Sequence, residues 1–121
     1  MFGALPLSGA PDAVTGGWLG LAEPEPVDAA TIAFYADAWL PAPFPRLTEP
    51  VAAPTIDLTI HFRAPGAVAS LAADAPVLAR FASTTASGGF FEEDGELWAP
   101  DGTLLAQSRQ LALLAPFGAA A

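Results

Sequence analysis

Asp28 to Leu40, DAATIAFYADAWL, predicts a helix of 13 residues, roughly 20 Å long at the usual rise. Asp28 suits the N-cap, and its charge suits the positive end of the helix dipole. Pro41 and Pro43 stop the helix past Leu40. Ala29, Ala30, Ile32, Ala33, Phe34, Tyr35, Ala36, Ala38, Trp39 and Leu40 leave almost no polar face, which is the pattern of a buried helix. The exception is Asp37. It falls in the last turn, where the dipole disfavours an anion. A carboxylate placed there calls for an explanation other than stability.

The strands are read outward from that helix. Gly17 to Glu23 is a short strand before it, ended by Pro24 and Pro26. Five prolines between 41 and 54 make the segment after it stiff and irregular. Thr55 to Arg63, TIDLTIHFR, alternates cleanly. Ile56, Leu58, Ile60 and Phe62 fall on one face; Thr55, Asp57, Thr59, His61 and Arg63 fall on the other. Val77 to Ser87 is a second long strand, Phe90 to Ala99 a third and Thr103 to Leu114 a fourth. Gly88-Gly89 marks a turn or bulge, and Pro100-Asp101-Gly102 a hairpin. Asp94-Gly95 reads as a bulge, because only four residues would separate it from the next turn. Four consecutive strands suit antiparallel meandering. The expected architecture is α+β, a curved antiparallel sheet wrapped around one central apolar helix. Residues 1–16 read as an N-terminal arm or linker, 17–116 as a single domain and 117–121 as a tail.

Composition narrows the function classes. The chain has 121 residues, 13 acidic groups against four arginines, no lysine and a net charge of −9. Such a surface repels a phosphate backbone and an anionic bilayer, which argues against nucleic-acid and membrane partners. No apolar run approaches the roughly 18 residues of a spanning helix. With no cysteine there is no disulfide framework and no thiolate chemistry. No basic leader precedes an apolar run, so cytoplasm is the default compartment. A hydrophobic fraction of 53% suggests surface hidden against a partner.

Three segments carry a family resemblance: FYADAWLP (34–41), PTIDLTIHFR (54–63) and DGELWAPDGTLLAQSRQLALL (94–114). In order and spacing they resemble the second half of the acyl-CoA thioesterase II family, double-hotdog enzymes. The resemblance implies a hotdog fold and hydrolysis of acyl thioesters, with acyl-CoA as the implied substrate and no metal or cofactor. Carried over by position, the family's catalytic aspartate falls on Asp37, its threonine on Thr55 and its glutamine on Gln110. The implied mechanism is direct attack by a water that the three side chains orient and activate. The family has two repeats in one chain, and this sequence matches only the second. The implied partner is therefore a second copy in a homodimer, or a second hotdog repeat.

The residues fit that chemistry. Asp37 can take the water's proton, and desolvation by Phe34, Trp39 and the sheet would raise its pKa. Thr55 can hold the carboxylate by donating its hydroxyl proton, and the Gln110 amide can orient the water. Each also has a plainer role: Asp37 as a solvated helix end, Thr55 as a strand residue, Gln110 as a satisfied polar group. The cluster Glu92, Glu93, Asp94 and Glu96 reads as a solvated strand edge. The alternative from a different class is a non-catalytic hotdog module that binds an acyl group or docks against a first repeat. The scarcity of cations to meet the CoA phosphates favours it.

Overall fold

The computed structural model describes residues 3–116. Strand β1 is Val14–Leu19, three residues earlier than the sequence suggested, and the helix α1 is Ala29–Tyr35. A 3₁₀ turn at Phe44–Arg46 leads to β2 (Val51–Ala52) and β3 (Thr55–Phe62). A short helix α2 (Pro65–Ala69) precedes β4 (Val77–Ala82), β5 (Ala86–Ser87), β6 (Phe90–Trp98), β7 (Leu104–Leu113) and β8 (Ala115–Pro116). The main sheet is antiparallel in the order β1-β4-β6-β7-β3, with β5 also pairing β6. Thus β3 does not neighbour β4, as a simple meander would require. It crosses to the far edge and pairs with β7. The tail at 117–121 lies outside the described residues.

The sheet has two unlike faces. Along β6, Phe91, Glu93, Gly95 and Leu97 face inward, and Asp94 and Glu96 face out. Outside, Asp94 pairs with Arg109 and Glu96 with Arg80, each directly across the ladder. Inside, Val77, Phe81, Leu97 and Leu105 pack with Ile32, Tyr35 and Ala36 from the helix and its end. Each large apolar side chain so buried contributes about 1.5–3 kcal/mol. Gly95 is neither turn nor bulge. A Cβ there would press on Ser108 Oγ and lie 2.8 Å from Phe81 Cε1, so glycine lets the Phe81 ring lie flat against β6. The second long strand breaks after Ala82. Glu92 Oε1 accepts from Thr84 N and Thr85 N at 2.5 and 2.6 Å, satisfying amides that leave the ladder. The hairpin at Pro100-Asp101-Gly102 forms as expected, with Gly102 at φ 92°.

The helix is shorter and less buried than its sequence suggested. Its start is the expected one: Asp28 Oδ1 accepts from Thr31 N at 2.9 Å, and the Thr31 hydroxyl closes a capping box. These bonds hold the Asp28 carboxyl below its ordinary range. At the other end Asp37 N and Ala38 N reach back only three residues, to Phe34 O and Tyr35 O. The turn tightens and the helix ends at Tyr35. Phe34 is 63% exposed, and only Ile32, Tyr35 and Ala36 are buried. Apolar composition came partly from alanine, which sits in water at little cost. Past the helix, Trp39 Nε1 donates to Thr15 Oγ1 at 2.8 Å. That contact turns the chain back toward β1 and carries Ala42 under β6. Among the described residues, no helix is long and apolar enough to cross a membrane.

Candidate active site

Gln110 sits at the centre of the polar cluster on the inner face. On β7 it shares that face with Ala106 and Ala112, both buried, and is itself buried. Glu93 lies directly opposite it on β6, and Leu58 directly opposite on β3. Thr55 reaches the same face through a bulge. The β3–β7 register shifts between Thr55 and Asp57, so Thr55 pairs with Ala112 and Leu58 with Gln110. Paired regularly at the same length, without the bulge, Thr55 would fall on the face opposite to Leu58 and Gln110. This corrects the strict alternation expected from the sequence, which set Thr55 against Leu58. A bulge re-aims a side chain at the cost of a local break in the ladder.

The three side chains form one hydrogen-bonded chain. Thr55 Oγ1 donates to Gln110 Oε1 at 2.8 Å, and Gln110 Nε2 donates to Glu93 Oε1 at 2.9 Å. The second oxygen of Glu93 accepts from Ala42 N at 2.7 Å. Thr55 therefore spends its hydroxyl proton on Gln110 and not on Asp37, as the sequence-based role had it. Glu93 is only 4% exposed. Desolvation is the main cause that pushes its carboxyl up to about 7; the bonds from Ala42 and Gln110 oppose the rise, and the charges of Asp37 and Glu92 add to it.

Asp37 stands apart. It lies in the turn after α1 and is exposed, so the desolvation expected for it is absent. It is near enough for its charge to be felt at Glu93, but it makes no hydrogen bond to Thr55 or Gln110 among the described residues. The buried carboxylate is Glu93, expected from the sequence on a solvated strand edge. The four-acid cluster masked it. The signal was the period of two: Phe91, Glu93, Gly95 and Leu97 share one face of β6, and β6 is an inner strand. An open apolar cleft of about 370 Å³, lined by Val27, Ala29, Phe62, Pro65, Val68 and Ala69, lies at the other end of α1 and does not include these groups.

Known proteins place this arrangement. A conserved protein of unknown function with a hot dog fold from Alicyclobacillus acidocaldarius matches at 32% identity and TM-score 0.82, over 87% of this chain and 40% of that one. A Thermobifida fusca protein provisionally assigned as a thioesterase II matches at 28% identity and TM-score 0.72, over 87% of this chain and 38% of that one. An acyl-CoA thioesterase II from Mycobacterium marinum shares the fold at 23% identity and TM-score 0.66, over 88% of this chain and 45% of that one. This chain thus spans less than half the length of each of these relatives. A comparison with curated proteins gave no match. The fold is the hotdog, and the family profile for the acyl-CoA thioesterase C-terminal domain matches residues 2–114. The chain belongs to the acyl-CoA thioesterase C-terminal domain family.

Proposed function

We infer that the domain hydrolyses acyl thioesters, with acyl-CoA as substrate, by direct attack of a water held at Thr55 and Gln110. The observation that carries this reading is the Thr55–Gln110 hydrogen bond, made across strands by a bulge that has no other evident purpose. With its proton committed to Gln110, the Thr55 oxygen accepts from the water. The second N–H of Gln110 donates to it. Asp37 is the base: it takes the water's other proton as the oxygen attacks the carbonyl carbon. The tetrahedral intermediate collapses, the C–S bond breaks, and the thiolate leaves and is protonated.

The domain acts with a second hotdog, as a homodimer or with a first repeat. Asp37 is exposed on the single domain, and a second sheet packed across it supplies the desolvation that a base requires. A non-catalytic reading is favoured by one observation, the absence of a bond from Asp37 to Thr55 or Gln110. The two are separated by thiol release from acyl-CoA. Asp37→Asn lowers the rate by about 10²–10⁴-fold with the fold intact if Asp37 is the base. An unchanged rate removes it from that role.

A further inference from the structure

A buried carboxylate on a largely apolar sheet face costs stability, and Glu93 is such a group. Its two oxygens are both engaged, one by the Ala42 amide and one by Gln110. We propose that Glu93 is the positioning residue of the site: it sets the direction of the Gln110–Thr55 hydrogen bond, and so the polarity the pair offers to a water. What the water does next rests on the thioesterase reading above; the directional control rests on the geometry alone.

The argument is one of donors and acceptors. Ionised Glu93 can only accept. Gln110 must then turn Nε2 toward it, which turns Oε1 toward Thr55 and makes the hydroxyl a donor. The groups left for a water are the Thr55 lone pairs and the second Gln110 N–H. A water there donates to one and accepts from the other, and keeps a lone pair for the carbonyl. Neutral Glu93 carries an O–H. It then favours the flipped amide, with Oε1 toward Glu93 and Nε2 toward Thr55. Thr55 becomes the acceptor, and its O–H turns outward in place of its lone pairs. The proton on Glu93 thus reverses the whole chain. The charged groups felt at Glu93 are Asp37, from the turn after α1, and Glu92, its neighbour on β6. Both are acidic and add to the desolvation that opposes its ionisation, so the two directions exchange near neutral pH.

The test is a side-chain titration by NMR on the uniformly labelled chain, followed through neutral pH. The Glu93 carboxyl carbon and the Gln110 amide are expected to move together, with one midpoint near 7. In Glu93→Gln the Gln110 amide is expected to lose its pH dependence and hold the position of the acid form. A Gln110 amide that stays still while Glu93 titrates overturns the proposal; so does a Glu93→Gln chain that keeps the high-pH position. If Glu93→Gln does not fold, the wild-type titration alone decides. An acyl-CoA assay on the same samples gives the second readout. The rate is expected to rise through the same midpoint in the wild type, and to be low and flat in Glu93→Gln. Coupled resonances with no hydrolysis retract the hydrolase and keep the positioning role. Hydrolysis with uncoupled resonances does the reverse.

Discussion

Replacing Glu93 by Gln changes one atom in size and removes the charge, and its effect on stability depends on pH in a fixed direction. The folded carboxyl is pushed up to about 7 from an ordinary 4.5, mainly by desolvation. In the window between those values the folded chain holds a proton that the unfolded chain has released. Folding takes up a proton, so stability falls as pH rises through the window. The full difference, reached above pH 7, is about 3 kcal/mol against the wild type. Glu93→Gln has no such slope. The two proteins should be about equally stable below the window, and the variant should be the more stable one above it, by up to about 3 kcal/mol. Urea unfolding at matched pH values measures this through the midpoint at constant m. Asp28, Asp94 and Asp101 are all held below their ordinary range by hydrogen bonds, Asp94 chiefly by Arg109. They lose stability only in more acid solution, and they cancel because both proteins carry them. Stability curves that run parallel through neutral pH would refute the reasoning and put Glu93 in water.

Two further outcomes follow from the fold. The chain should be a dimer at low micromolar concentration by native mass spectrometry, with an interface burying more than about 2,000 Å²; a clean monomer without thioesterase activity would sink both the dimer and the enzyme reading for this chain alone. Gly95→Ala should lower stability by about 1–3 kcal/mol, because its Cβ would crowd the buried Phe81 ring; a neutral result in thermal unfolding would mean that Phe81 can move aside.

Periodicity and turn chemistry carried most of the architecture. Asp28 begins the helix, Gly102 turns the last hairpin and Thr55–Phe62 is a strand. What they could not carry was pairing. The sequence of β3 is the same whether it neighbours β4 or β7, and only the sheet as a whole selects β7. The helix end was overdrawn because Ala, Trp and Leu past Tyr35 look apolar in any conformation. Their fate depends on the Trp39 bond to Thr15, 24 positions away in sequence. The site was half legible. Thr55 and Gln110 do meet, but through a bulge that leaves no local signature. Glu93 was hidden by its neighbours, since four acids in five residues look like solvent.

The bulge at Ile56 separates having the site residues from having the site. Thr55 and Leu58 are three positions apart, so a regular strand of the same length would put them on opposite faces. A change in β3 that ironed out the bulge would keep every site residue in the sequence. Thr55 would then face away from Gln110, and the hydrogen bond would be gone. Loss of Ile56 itself would do no such harm, because Thr55 would stand next to Asp57 and regular alternation would keep it opposite Ala112. Competence here is written in the parity of a spacing: an even separation between Thr55 and Leu58 reaches the inner face unaided, and an odd one needs the bulge.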